Sequence, residues 1–167
     1  IYLAGSTTGD LDGNTNAGSN PSHCSKCEDI FLIKYNSSGT RQWTKQIGST
    51  SSDSPSGGVV IDSNNNIYIA GESWGDFDGK SNAGSTWSDI ILVKYYDNGT
   101  KQWSNQIGTS SMDTCAGLAI DSNDNVYITG YTQGNLDGET NSGGSDMYLI
   151  KYNSSGTKQW TKLLGGA

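Results

Sequence analysis

The sequence predicts an all-β protein made of consecutive β-propeller blades: three four-stranded antiparallel repeats, the first lacking its innermost strand. The first observation is a string written three times, Asp29-Ile-Phe-Leu-Ile-Lys-Tyr35, Asp89-Ile-Ile-Leu-Val-Lys-Tyr95 and Asp146-Met-Tyr-Leu-Ile-Lys-Tyr152. Each copy leads through a turn to a Gln-Trp pair, and Trp43, Trp103 and Trp160 stand 60 and 57 residues apart. A fixed period of this length marks an architecture of stacked units. The second observation is that every unit divides into short apolar runs, rich in β-branched and aromatic residues and bounded by Gly, Asn, Asp and Ser. The third is that no segment carries apolar residues at helical spacing over three turns.

The first run of a unit covers 58–62 and 117–121; its small residues (Gly57, Gly58, Ala116, Gly117) suit strands crowded around a central channel. The second covers 1–5, 67–71 and 126–130. A turn of Ser and Asn or Asp at 63–66 and 122–125 joins first to second as a hairpin. The third run is the Lys-Tyr string. The fourth carries Trp, placed outermost so that its indole covers the wedge between blades. Units therefore run over 1–49, 50–109 and 110–167, with eleven strands in all. Three blades do not close a ring, since propellers have about 4–8. The expected partners are therefore further blades of a parent protein, or identical chains meeting head to tail. A chain that opens on Ile1 reads as part of something longer.

Composition narrows the function classes. Hydrophobic residues are 32 % and charged residues 16 %, with 23 Gly in 167 residues. That leaves a thin core spread over many short elements, in a polar, weakly charged chain of extracellular type. A net charge of −7 argues against nucleic acid, whose phosphates need basic partners. No apolar run approaches the ~20 residues that span a bilayer.

The ordered set Gly117-Leu-Ala-Ile-Asp121-Ser-Asn-Asp-Asn-Val-Tyr-Ile-Thr-Gly130, then Leu136-Asp-Gly138, Asp146 to Tyr152, Gly156 and Trp160, resembles the bacterial beta-propeller repeat called SBBP. Similar strings cover all three units. The resemblance implies the propeller fold and a secreted or cell-surface protein with other modules. The insert around Pro21 to Cys27 departs from the pattern.

The loop between second and third runs is the richest in candidate ligands. Asp10, Asp12, Asn14 and Asn16 alternate along it, as do Asp76, Asp78 and Asn82, and then Asp137, Glu139 and Asn141. Oxygens at every second position suit Ca²⁺, which takes 6–8 of them. The competing reading makes the same residues Asp-Gly turn formers. The spacing is not that of an EF-hand, and Lys80 occupies a ligand place in the second copy.

Cys24 and Cys27, with His23 beside them, read as a local disulfide stiffening the loop, with a zinc site or free thiols as alternatives; Cys115 reads as a buried filler. Trp74 and Trp87 are candidate stacking surfaces for a glycan or a protein. Asn36, Asn98 and Asn153 head sequons, all in the same turn of the unit. One His, no Gly-x-Ser-x-Gly elbow and no phosphate loop give catalysis little footing. A group needed once for chemistry seldom appears in every copy, so the recurring Asp29, Asp89 and Asp146 read as structural. The expected function is a non-catalytic extracellular scaffold that needs no cofactor. The alternatives are a calcium-dependent module binding glycans or proteins, and a piece of a propeller enzyme whose active site lies elsewhere.

Overall fold

The computed structural model describes residues 1–18, 27–84 and 86–166. Three antiparallel sheets follow one another along the chain. The first holds β1 (Tyr2–Thr7), β2 (Asp29–Tyr35) and β3 (Arg41–Ile47). The second holds β4 (Asp53–Ile61), β5 (Ile67–Ser73), β6 (Asp89–Tyr95) and β7 (Lys101–Ile107). The third holds β8 (Asp113–Ile120), β9 (Val126–Thr132), β10 (Asp146–Tyr152) and β11 (Lys158–Leu164). Every sheet is a meander in sequence order, and no helix occurs among the described residues. None is therefore long and apolar enough to cross a membrane.

The first run is longer than its apolar residues suggest. β4 begins at Asp53 and crosses a register shift between Ser54 and Gly58, and β8 does the same between Cys115 and Gly117. Pro55 sits in that bulge on an edge strand, where a missing N–H costs the ladder nothing. β4 and β8 lie against each other, as strands nearest a common axis must. The Trp strands β3, β7 and β11 form the opposite edges of their sheets.

Packing between sheets follows from the alternation of side chains along a strand. Tyr68 and Ala70 of β5, with Ile90 and Leu92 of β6, face the third sheet and bury against Val126, Ile128, Tyr148 and Ile150. Ile67 and Ile69, with Ile91 and Val93, face the first sheet and bury against Ile30 and Leu32. A sheet covered on both sides is buried throughout, so all seven residues of β6 are buried. The matching β10 alternates, with Met147 and Leu149 exposed on the side that no described sheet covers.

Candidate functional site

The loops between second and third strands are built on a two-residue turn. Asp12, Asp78 and Asp137 have φ of 54°, 52° and 56°, and Gly13, Gly79 and Gly138 follow at 80°, 76° and 83°. Positive φ at both central positions defines a type I′ turn and explains the Asp-Gly pair. A backbone bond closes each turn: Asn14 N to Leu11 O, Lys80 N to Phe77 O, and Glu139 N to Leu136 O, at 2.9–3.0 Å. The apolar residue before each Asp is a plug. Phe77 and Leu136 are fully buried between sheets. An apolar side chain recurs at this place in all three copies (Leu11, Phe77, Leu136), a signal in the sequence whose plugging role only the stacked sheets make plain.

The carboxylates among the candidate calcium ligands are engaged by the protein. Asp12 bonds Thr44 and pairs with Arg41 at 2.6 Å. Asp78 bonds Lys101 and Ser104, and Asp137 bonds Lys158 and Thr161. Thus each Asp-Gly turn is tied to the Trp strand of its own sheet. Asp10 and Asp76 turn back into the loop, accepting from Asn16 N and Asn82 N at 2.8 and 2.9 Å. The neutral Asn135 accepts from Asn141 N at 2.9 Å in the same way. An amide that replaces a carboxylate at one copy shows that the acceptor, not the charge, is what the turn uses.

Asn16, Asn82 and Asn141 donate their amides across the two strand ends, Asn16 to Thr7 O and Cys27 O at 3.1 and 3.3 Å. Asn14 donates to Leu11 O at 2.8 Å, and Glu139 pairs with Lys162 at 2.7 Å. Among the described residues, no three His, Cys, Asp or Glu side chains gather as metal ligands.

The recurring Asp at the start of the third strand is a joint. Asp29 Oδ2 accepts from Ala17 N and from Gln46 on β3, and Asp89 Oδ2 accepts from Ala83 N and Gln106. Each therefore ties loop, third strand and Trp strand together. Beside it, Asp53 accepts from Ser49 N and Ser49 Oγ at 2.6 and 3.1 Å, holding the linker that enters the next sheet. Burial pushes the Asp53 carboxyl up to about 7, and the charge of Asp29 adds to the shift against the hydrogen bonds of Ser73 and Ser49. Burial likewise raises Asp113 and Asp89. In the exposed hairpin, hydrogen bonds led by Asn125 hold Asp121 down at about 2.

The recurring Lys is a latch. Lys34 reaches Asp97 Oδ1 in the next sheet's turn at 2.6 Å, and Lys94 reaches Ser154 O at 2.8 Å. The Trp residues occupy the same junction: a Cβ on Gly99 would stand 3.1 Å from Trp43 Cδ2, and one on Gly156 2.8 Å from Trp103 Cδ2. Cys115 is buried and free, its Sγ against Gly57 of β4, and burial pushes its thiol up to about 12. The Cys24–Cys27 pairing and His23 fall outside the described residues; Cys27 itself is buried. Trp74 is half-buried and Trp87 is 44 % exposed; among the described residues neither stacks on another ring. Asn36 and Asn153 head Asx turns, each Oδ1 accepting two backbone N–H groups, whereas Asn98 stands third in a turn headed by Tyr96 and accepts from Thr100 N alone.

Two segments, 42–78 and 102–137, match the family model described as the SBBP beta-propeller repeat. The chain carries SBBP beta-propeller repeats. Each matched segment starts on a Trp strand, crosses into the next sheet through its first two strands, and ends at the Asp of the Asp-Gly turn. The SBBP unit in sequence is thus offset from the sheet, and it encodes the joint between blades as much as a blade. Among curated proteins, the chain is 28 % identical to an uncharacterized WD repeat-containing protein of Acanthamoeba polyphaga mimivirus, over 76 % of this chain and 10 % of that protein. It is 26 % identical to the regulatory protein FlaEY of Caulobacter vibrioides, over 95 % of this chain and 17 % of that protein. The chain therefore spans a small fraction of both relatives.

Proposed function

We propose that the chain is a non-catalytic extracellular scaffold that associates through its sheet faces with further SBBP blades, supplied by a parent protein or by copies of itself. One observation carries this reading. In the third sheet Met147, Leu149 and Leu164 are 47 %, 39 % and 70 % exposed, whereas Ile90 and Leu92, at the places of the first two in the second sheet, are 0 % and 1 % exposed beneath a neighbour. On the opposite flank Ile1 and Leu3 are 75 % and 50 % exposed, whereas the matching Ile67 and Ile69 are fully buried. Large exposed apolar faces mark interaction surfaces, and the two internal junctions, where such faces meet a neighbouring blade, support a further blade as the occupant.

The non-catalytic part rests on the polar groups that recur. Their Asp and Lys side chains act as joints and latches, and the interaction role accords with the SBBP beta-propeller repeats of this chain and with the WD repeat-containing relative. The extracellular part rests on the sparse charge of the composition, 16 %. The test is sedimentation of the purified chain beside a Leu149→Lys, Leu164→Glu variant. The scaffold reading expects the unchanged chain to self-associate and the variant to stay monomeric. An unchanged chain that is monomeric at every concentration rules out copies of itself as the partner, and failure to bind a separately made SBBP blade segment as well defeats the reading.

A further inference from the structure

The two blade junctions share a feature that joints and latches do not use. On the outer rim, where a Trp strand meets the next sheet, lies a crevice of about 400 Å³ lined by Ile47, Asp78, Tyr95, Gly99, Thr100 and Lys101. One junction on, the same places line a crevice of about 320 Å³: Asn105, Ile107, Tyr152, Gly156 and Lys158. Both lie in the size range of small-molecule sites. The two are one site repeated, since Ile47 and Ile107, Tyr95 and Tyr152, Gly99 and Gly156, and Lys101 and Lys158 are equivalent positions of the unit.

An independent observation points to a ligand. Tyr95 and Tyr152 are each 3 % exposed, and neither hydroxyl has a hydrogen-bond partner among the described residues. A buried phenol ordinarily finds a partner. Both tyrosines line their crevices, which leaves the crevice as the place where either hydroxyl can find one. Burial, aided by the nearby Asp78 and Asp137 charges, raises both phenols above their ordinary value, so both hydroxyls keep their proton as donors.

The lining fixes the ligand's chemistry. Lys101 is paired with Asp78 and Lys158 with Asp137, so the lysine common to both crevices is already neutralised by the protein. Lys45, which also lines the first crevice, is replaced by Asn105 in the second. The lining combines apolar groups (Ile47 or Ile107 and the tyrosine ring) with hydrogen-bonding ones (Asp78, Thr100 and Lys101; Asn105 and Lys158). A sugar ring matches this: it is neutral, with apolar C–H faces and hydroxyls around its edge. One site per junction also suits a polymer of repeating residues, for which linked weak sites add avidity.

We propose that each blade junction binds one neutral sugar unit of a glycan in the crevice in front of Tyr95 or Tyr152. The site needs no metal and is separate from Trp74, Trp87 and the open sheet faces, so it stands or falls independently of the scaffold reading.

The test is saturation-transfer NMR and calorimetry with glucose, galactose, mannose and N-acetylglucosamine, all in chelator. At least one sugar should bind with two sites per chain. A Tyr95→Phe, Tyr152→Phe variant with unchanged melting should bind about tenfold more weakly, the loss expected for one hydrogen bond to a neutral donor. Thr100→Arg, a change at an exposed residue, should block the first crevice and halve the stoichiometry. The proposal is overturned if none of the four sugars binds, if binding survives both variants unchanged, or if inorganic phosphate displaces the sugar.

Discussion

Trp43 donates its indole N–H to the backbone carbonyl of Asp97, 3.1 Å away and one sheet further along the chain. The same turn lays Gly99 on the indole face, so side chain and turn close the junction together. Because the contact crosses between repeats, it measures how much one blade stabilises the next. Trp43→Ala should cost about 2–3 kcal/mol in urea denaturation, below the full range for a buried Trp because the side chain is half-exposed. Trp160 occupies the same place in the third sheet but is 37 % exposed with no described blade against it. Trp160→Ala in the monomeric chain should therefore cost under about 1 kcal/mol. Equal costs at the two positions would mean that the indoles act within blades and not between them.

Asp53 should make the protein more stable in mild acid. Its folded carboxyl titrates at about 7 against an ordinary value of 3.8. The folded state thus holds a proton that the unfolded state has released throughout that window. The stabilisation is complete below the unfolded value and is lost as pH rises through about 7. A rise from 3.8 to about 7 corresponds to a ceiling of about 4 kcal/mol, lowered by relaxation around the ionised form. Asp113 and Asp89, raised by burial, act in the same direction. Asp121, held at about 2, acts oppositely, but its contribution is lost only below the ordinary carboxylate range. Melting temperature should therefore climb as pH falls from 8 to 5, and Asp53→Asn should flatten the slope. A variant as steep as the unchanged chain would clear Asp53 of the effect.

Gly57 and Cys115 show how closely the innermost strands approach. A Cβ on Gly57 would lie 2.5 Å from Cys115 Sγ and 2.9 Å from Ala70 Cβ. Gly57→Ala should cost about 1–3 kcal/mol through overpacking. Shortening the opposing side chain as well, in Gly57→Ala, Cys115→Ala, should recover part of that loss. With its thiol pushed up to about 12, Cys115 should resist thiol reagents at pH 8 until the chain unfolds. Rapid labelling of the native protein would show that the strands part more readily than this packing implies.

The meander was legible because its signals are local. Apolar runs, turn residues and the spacing of Trp43, Trp103 and Trp160 lie within one unit, and each repeat restates them. The bulge near the start of β4 was not legible, since residues 53–57 carry no apolar alternation and only Asp53 and Ser54 among them pair, with Ser73 and Glu72. Nor was the role of Phe77, which looks like one apolar residue between two acids until the sheets stack over it. The crevices at Tyr95 and Tyr152 combine residues from two repeats, and no reading of one unit brings those together. Position within a blade follows from sequence period; what blades make jointly requires the junction.

The Asp-Gly turns give a direct test of how the carboxylates are used. Asp78 combines a left-handed backbone with side-chain bonds to Lys101 and Ser104. Asn tolerates the same φ and still offers one acceptor, so Asp78→Asn should cost under about 1 kcal/mol. Ala meets the steric penalty of the left-handed region and loses both partners, so Asp78→Ala should cost about 2–3 kcal/mol. Because the protein itself satisfies these carboxylates, melting curves in calcium and in chelator should coincide for the unchanged chain. A rise of several degrees with calcium, abolished by Asp78→Asn, would instead show that the turn opens its bonds to a cation. The ordering of Asn and Ala then decides between them: a turn held by its own partners ranks Asn well above Ala, whereas a turn held by an ion loses the ion with either.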